Sequence, residues 1–306
     1  GYKLYLLIQF VILKTLSSSN NKDKNHLKID VLVDDIPPTF LQGIDTIFHL
    51  IGLSHDIHKT GNYKKYHSIN FEFTKKLALL AKASNVRRFI YLSTTKAIGS
   101  SFSKSEISED TQLVPKDIYG KTKRMAEVYL LNLALESNME IIILRSPLIY
   151  GINIKGNLLE LINSIKKNKF PPINVKNKRS MISVSDISRA LLLLDKIPKE
   201  KRSIYLATDK IIYSTSDIIN SIKREYKKRI YEFYIPKIVF LLISYVGNLI
   251  SLFINSSFDK KKYEKIFENE YYSSDNIIKL GFNPEKTFYS EIKSIIKSIE
   301  NDKKNI

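Results

Sequence analysis

The chain has 306 residues, of which 43% are hydrophobic and 26% are charged, as in a globular protein with a sizeable core and unlike a disordered one. It contains no cysteine, which excludes a disulfide framework and a cysteine nucleophile and fits a reducing cytoplasm. The net charge of +18 would suit nucleic acid or an anionic membrane. However, the lysines are scattered, as an AT-rich genome would produce, and we find no nucleic-acid-binding motif, so no nucleic-acid partner is predicted.

The first 20 residues allow two interpretations. Lys3, an apolar run over 4–13 and the serines that follow resemble a signal peptide. The run is also apolar on every side, as in a helix buried against a sheet, and we favour this second interpretation. β-type runs over 28–36 and 45–50 then predict two strands.

The next predicted strand ends in three hydroxyl groups. A helix is predicted over 70–83, and the apolar run 89–92 has the pattern of a buried parallel strand. Ser93, Thr94 and Thr95 follow it directly. Because ligands bind at the carboxyl ends of strands in open α/β sheets, these hydroxyls mark a candidate site.

Tyr119 and Lys123 lie on one face at the start of a helix predicted over 119–137. A phenol can act as acid or base once its pKa falls from ~10, and a nearby ammonium lowers that pKa by favouring the phenolate. With a strand-end hydroxyl, the pair would form a set of groups that handles protons. The predicted core positions of this helix are Met125, Val128, Leu131 and Leu135.

Two similar spacings elsewhere carry less weight. Tyr289 and Lys293 repeat the four-residue spacing, but no strand-end hydroxyls precede them, so they predict an ordinary surface helix. His55 and His58 have a metal-like spacing without a third ligand nearby, and no metal site is predicted.

Further strands are predicted over 140–145 and 203–207, and Ser214 has the pattern of a helix N-cap. The apolar run 238–254 has 17 residues, short of the ~20 that span a bilayer. It predicts a helix in a second lobe, with a membrane-peripheral helix as the alternative.

Several segments, in chain order, carry a resemblance to a known family: 45–52, 70–74, 88–94, 144–151 and 177–186. With Tyr119 and Lys123 they make the chain resemble the extended short-chain dehydrogenases/reductases, in the nucleotide-sugar epimerase/dehydratase group. The resemblance covers roughly residues 30–290. Within the group, the chain is most similar to bacterial surface-polysaccharide enzymes that act at C4 of UDP-linked N-acetyl sugars, which Lys155 and Asn157 support.

The resemblance implies an α/β fold with a Rossmann-like, doubly wound parallel sheet and a smaller mixed substrate-binding lobe. Residues 1–150 would form the dinucleotide-binding domain, truncated so that it lacks the first strand and most of the glycine-rich loop. Residues 151–306 would form mainly the substrate-binding lobe, with 179–215 returning to the first domain.

The implied cofactor is NAD or NADP, and the choice stays open because residues 17–28 are polar and short where the family carries the discriminating residue. The implied cofactor-binding residues are Gly1, Asp35, Ile36, His49, Leu50, Ile51, Gly52, Asn70, Ser93, Tyr119, Lys123 and Pro147. Gly1 could match the second or third glycine of the family's fingerprint, and Asp35 could equally be a loop residue. Asn70 would either brace the catalytic loop or cap a helix.

The implied catalytic residues are Thr94, Tyr119 and Lys123, with substrate contacts from Thr94, Thr95, Asn153, Asn157 and Arg179. The alternative for Arg179 is a surface salt bridge. The implied activity is that of a 4-epimerase or 4-ketoreductase acting on a UDP-linked hexose or N-acetylhexosamine, for surface polysaccharide precursors, as a cytoplasmic homodimer. A dehydratase is disfavoured because Thr95 and Lys96 replace the family's acidic pair. The alternative is a catalytically silent dinucleotide-fold binding or assembly protein.

Overall fold

The computed structural model describes residues 15–17, 26–28, 30–32, 34–54, 62–99, 105–199, 202–230, 234–250 and 260–302. Its strands are β1 Thr15–Ser17, β2 His26–Lys28, β3 Thr46–His49, β4 Arg88–Thr94, β5 Glu140–Ser146, β6 Leu148–Tyr150, β7 Arg179–Ser183, β8 Arg202–Leu206 and β9 Ile212–Tyr213. Its α-helices are α1 Tyr63–His67, α2 Phe73–Ala83, α3 Ile118–Leu135, α4 Asn157–Lys166, α5 Val184–Lys196, α6 Thr215–Glu225, α7 Lys237–Ile250, α8 Lys260–Phe267, α9 Asp275–Lys279 and α10 Phe288–Asp302.

The central sheet is parallel, with the strand order β3-β4-β5-β8. Side chains of β4 alternate between its two faces, so that Phe89 and Tyr91 pack with α2 and α3 while Ile90 packs with α5. Helices therefore cover both faces, and the predicted doubly wound α/β fold is confirmed. The predicted strands over 45–50, 89–92, 140–145 and 203–207 correspond to these four strands.

The N-terminal part of the chain differs from the prediction. The helix predicted over 4–13, and Gly1, lie outside the described residues, and β1 and β2 form a separate parallel pair. The strand predicted over 28–36 is wrong beyond Lys28, because Asp30 and Asp34 close a turn. The Asp34 amide donates to the Asp30 carbonyl (2.8 Å), and the Asp34 carboxylate accepts from the Asp30 amide (2.7 Å). Aspartate side chains that bond to nearby backbone compete with a strand ladder.

A smaller mixed sheet lies in the second half of the chain, where β7 pairs parallel with β6 and antiparallel with β9. α4, α6 and α10 bury a second core beside it, with members that include Tyr150, Ile162, Ile222 and Ile295. α5 packs on the central sheet, which β8 also joins, so the segment 179–215 contributes to both sheets.

α7 covers the first part of the apolar run over 238–254, and residues 251–254 lie outside the described ranges. Among the helices that the structure describes, none is both long enough and apolar enough to cross a bilayer.

A buried acid joins this second lobe to the end of β8. Asp209 is 4% exposed, and its Oδ2 lies 2.6 Å from the Tyr213 hydroxyl and 2.8 Å from the Tyr150 hydroxyl. The Tyr150 hydroxyl also lies 3.0 Å from the Lys286 carbonyl oxygen, and one proton cannot serve both acceptors fully. If Asp209 is protonated and donates to the Tyr150 hydroxyl, Tyr150 can donate to the Lys286 carbonyl and Tyr213 can donate to Asp209, so that each of these groups has a partner. Burial, opposed by the two tyrosine hydrogen bonds, raises the pKa of Asp209 to about 6.

The raised pKa of Asp209 predicts that the stability of the fold depends on pH. Because the folded-state pKa of Asp209, about 6, lies above the ordinary 3.8, its stabilising contribution is complete below pH 3.8 and is lost as the pH rises through 6. We expect Asp209→Asn, which mimics the protonated acid, to melt at a higher temperature than the wild type at pH 8 and to lose that advantage at pH 5. Thermal melting measures this, with the exposed Asp110→Asn as control. A pH-independent difference would show that Asp209 does not titrate in this range.

Candidate active site

Three elements meet at the carboxyl edge of the central sheet. Thr94 ends β4, Gly52 lies just beyond β3, and α3 begins at Ile118 with its first turn against the 95–97 turn. A Cβ on Gly120 would lie 2.4 Å from the Lys96 carbonyl oxygen, so only glycine allows this approach. The Asp117 carboxylate caps α3 by accepting from the Gly120 amide (2.6 Å). The close packing sets the position of Tyr119 relative to the end of β4.

Tyr119 is half-buried at this edge, and its phenol lies close enough to the Thr94 hydroxyl to be influenced by it. Burial raises the pKa of the Tyr119 phenol to about 12, although the nearby Thr94 hydroxyl partly opposes this by lowering it. The predicted lowering of this pKa by Lys123 is therefore wrong for the chain by itself. The phenol is held in its protonated form, ready to donate.

Lys123 is 3% exposed, and its ammonium donates to the Leu92 carbonyl oxygen (2.7 Å). The Nζ atom also lies 4.0 Å from the centre of the Tyr91 ring. Burial lowers the pKa of Lys123 to about 7, and Glu127 partly opposes this by favouring the charged form. Burial thus raises the pKa of the Tyr119 phenol and also lowers the pKa of Lys123, whose charge was expected to lower the phenol pKa.

Asn70 is fully buried and braces the loop after β3. Its Oδ1 accepts from the Leu53 amide (2.7 Å), and its Nδ2 donates to the Leu53 carbonyl (3.1 Å) and to the Thr122 hydroxyl on α3 (3.1 Å). Asn70 is not a helix N-cap, because it lies inside the helical segment Ser68–Glu72 and the N-cap of α1 is Asn62. It is a brace, but of the loop after β3, whereas the catalytic loop was expected. A Cβ on Gly52 would lie 3.4 Å from Asn70 Oδ1 and 3.6 Å from Lys123 Nζ. Leu50 and Ile51 are half-buried in this loop, whereas Gly52 is exposed beside Lys123.

His49 does not present its imidazole at this edge. The ring is 1% exposed and stacks on Tyr91 with ring centres 5.3 Å apart. Its Nε2 lies 2.8 Å from the Thr74 hydroxyl, which itself donates to the Asn70 carbonyl, so Nε2 carries the proton. Burial first, and Lys123 second, lower the pKa of His49 to about 3, so the ring is neutral. The sequence predicted that His49 contacts the cofactor, but the structure places its ring in the protein core.

The three strand-end hydroxyls point to different partners. Ser93 donates to Glu127 Oε1 (2.6 Å), so its hydroxyl is not free for the cofactor contact predicted for it. Thr95 is 4% exposed and lies near the Tyr272 phenol, and its substrate contact stays a prediction. Of the three, Thr94 is the one whose hydroxyl influences the Tyr119 phenol. Ser93 and Thr94 are the last residues of β4, whereas Thr95 begins the 95–97 turn.

Glu127 and Arg145 were missed in the sequence. Glu127 is fully buried one turn after Lys123, and Arg145, 1% exposed, donates to it twice (Nε to Oε1 3.0 Å, Nη2 to Oε2 2.8 Å). Ser93 shares the same carboxylate. The available signal was a glutamate four residues after Lys123, on the same helix face, together with an arginine ending a buried strand.

Two of the expected cofactor-binding residues, Asp35 and Ile36, contact other parts of the protein. Asp35 is an exposed loop residue that pairs with Lys76, and Ile36 is 4% exposed in the core under α2. Pro147 is buried directly after β5.

The expected substrate contacts fall into two groups. Asn153 and Asn157 are exposed beyond β6, where Asn153 adopts a φ of 62°. Arg179 instead bonds within the protein, to Thr215 Oγ1 (3.0 Å) and Glu270 (3.3 Å). Its expected diphosphate contact is therefore corrected to a partly buried ion pair, because protein acceptors already surround the guanidinium.

His55 and His58 lie outside the described residues. Within the described ranges, no group of three or more histidine or acidic side chains is arranged to hold a metal ion.

Comparison with known proteins assigns the family. The sequence profile of the NAD dependent epimerase/dehydratase family matches residues 5–206, about two thirds of the chain. The chain belongs to the NAD dependent epimerase/dehydratase family. This assignment and the doubly wound sheet agree with the resemblance carried by the strand-end and Tyr119 segments.

Individual relatives support the assignment. UDP-glucose 4-epimerase from Vibrio cholerae is 28% identical over 174 residues, which cover 56% of this chain and 53% of that protein. A putative UDP-arabinose 4-epimerase from Arabidopsis thaliana is 37% identical over 97 residues, 32% of this chain and 22% of that protein. The chain thus spans about half the length of the first of these relatives and less than a quarter of the second.

Solved structures share the fold. UDP-glucuronic acid 4-epimerase from Bacillus cereus, in complex with NAD, aligns with a TM-score of 0.71 at 18% identity, covering 91% of this chain and 82% of that one. UDP-N-acetylglucosamine 4-epimerase from Methanobrevibacter ruminantium aligns with a TM-score of 0.73 at 17% identity, covering 92% and 86%.

Proposed function

We propose that this chain carries the active site of an NAD(P)-dependent UDP-sugar 4-epimerase or 4-ketoreductase. The observation that carries the proposal is the placement of Thr94 and Tyr119 near each other, where the start of α3 packs on the turn after β4, with Lys123 one helical turn further along α3. The family assignment and relatives that are 4-epimerases support it.

The residues at this edge fit the nicotinamide half of the cofactor. Gly52 leaves open the space that a Cβ would fill beside Lys123, which suits close approach of a ribose. Lys123 would donate to the ribose hydroxyls, and buried Pro147 would bound the ring's position. When bound, the cofactor supplies a hydride acceptor, which none of the protein side chains offers.

The proposed work of the protein side chains is proton transfer and orientation. The Tyr119 phenol would give its proton to the sugar O4 when a 4-keto group is reduced, and take it back in the reverse direction. Thr94 would hydrogen-bond the same oxygen. A positive charge brought close to the phenol on ligand binding would lower the Tyr119 pKa from about 12. Tyr119 could then both donate and accept the proton.

The substrate we propose is a UDP-linked hexose or N-acetylhexosamine, with Asn153 and Asn157 as exposed candidates for its diphosphate. A homodimer stays a prediction. α2 and α3 each expose large apolar side chains, Leu79 at 45% and Val128 and Leu135 at 45% and 54%, which would support it. A role in surface polysaccharide precursor synthesis also stays a prediction.

Incubation of the protein with NAD and UDP-N-acetylglucosamine or UDP-glucose tests the proposal. We expect the C4 epimer to accumulate, detected by chromatography and NMR of the sugar. A supplied 4-keto sugar with NADH that is reduced without epimerisation would assign the ketoreductase instead. Absence of both reactions, with NAD bound as measured by calorimetry, would favour the catalytically silent alternative.

A further inference from the structure

α7 presents an apolar face to solvent. Ile238 is 57% exposed, Leu242 60% and Ile243 46%, and their spacing places them on one side of the helix. Phe240 and Ser244, 7% and 1% exposed, face the protein. Large aliphatic side chains exposed together on one helix face mark an interaction surface.

A basic groove lies next to this helix. It has a volume of about 440 Å³ and is lined by Ile165, Asn168, Phe170, Lys223, Tyr226, Lys227, Lys228 and Arg229. Lys227 and Arg229 are exposed, whereas Lys228 donates to Asn168 (2.7 Å). The groove therefore gathers four cationic side chains, with no acidic side chain among its lining residues.

Phe170 joins the two features. It lines the basic groove and also an apolar cavity of about 120 Å³ that includes Phe240 of α7. The Ile235 amide donates to the Pro172 carbonyl (3.0 Å), which ties the start of α7 to the same segment. The start of α7 and the cationic groove thus both adjoin the segment 170–173.

We propose that α7 and this groove form a docking surface for an anionic lipid bilayer. The exposed apolar side chains would enter the boundary between headgroups and acyl chains, while Lys227 and Arg229 would meet lipid phosphates. The part of α7 that the structure describes, Lys237–Ile250, is too short to span the bilayer, and its Phe240 and Ser244 pack against the protein, so the helix would lie along the surface. A second copy of the chain fits less well, because symmetric pairing of this patch would bring like charges together.

Vesicle sedimentation with the full chain tests this proposal. We expect binding to vesicles of equal parts phosphatidylglycerol and phosphatidylcholine, weakened by salt, and little binding to pure phosphatidylcholine. The double variant Ile238→Ser, Leu242→Ser and the double variant Lys227→Gln, Arg229→Gln should each reduce the bound fraction about tenfold. Val114→Ser, at a 79% exposed apolar residue elsewhere, is the matched control.

Two results would overturn the proposal. One is binding that does not differ between the two vesicle types or between the variants and Val114→Ser. The other is a concentration-dependent dimer, seen by light scattering, that is lost in Ile238→Ser, Leu242→Ser while no vesicle binding occurs; this would assign the surface to a second copy. Thermal melting of each variant confirms that it is folded.

Discussion

Tyr119→Phe is expected to lower the turnover of a UDP-sugar by about 10²–10⁴-fold, the range typical for loss of a positioned acid or base. The substitution removes the phenolic hydroxyl beside Thr94 and leaves the ring in place. Because the ring stays, α3 should keep its packing against the 95–97 turn. Turnover measured by NMR of the sugar product, with NAD affinity measured separately, distinguishes lost chemistry from lost binding.

The chain provides its own control for this experiment. Tyr289 has the same spacing to Lys293 but lies on α10 and is 48% exposed. Tyr289→Phe should leave turnover unchanged. If both variants were as active as the wild type, Tyr119 would not transfer the proton, and the proposed mechanism would be wrong.

Glu127→Ala is expected to destabilise the fold by roughly 3–5 kcal/mol, since it leaves Arg145 charged and buried without its carboxylate. The loss extends to the site, because Ser93 would lose its acceptor and Lys123 a charge that favours its protonated form. Chemical denaturation measures the change in the free energy of unfolding.

An exposed ion pair gives the comparison for that experiment. Glu300 accepts from Lys166 at 2.9 Å, but its side chain is 42% exposed. Glu300→Ala should therefore cost about 0–1 kcal/mol, as for other solvated ion pairs. Equal effects of the two substitutions would mean that the Glu127 pair is not the buried network that the structure shows.

The strands of the central sheet could be predicted from the sequence because a buried parallel strand is a short continuous apolar run. The runs over 89–92 and over 141–144, within the predicted strand 140–145, are of this kind, and β4 and β5 contain them. The hydroxyls after β4 and the spacing of Tyr119 and Lys123 are likewise local features, so the candidate site could be located before any coordinates were known.

The buried face of α3 could not be predicted in this way. The expected core positions Val128 and Leu135 are 45% and 54% exposed, while Glu127 and Lys123 are buried. An apolar stripe shows which side chains avoid water, but it does not show which polar ones gain partners from distant strands.

The sequence alone thus determined the order and type of the strands of the central sheet and of the helix α3, because these depend on short-range periodicity and on the residues at strand and helix ends. Only the tertiary structure decided which polar groups are paired. Glu127 depends on Arg145, 18 residues away, Asn70 on Thr122, 52 residues away, and Arg179 on Glu270, 91 residues away. The same burial decided the protonation of Tyr119 and Lys123, since desolvation depends on every element packed around a group.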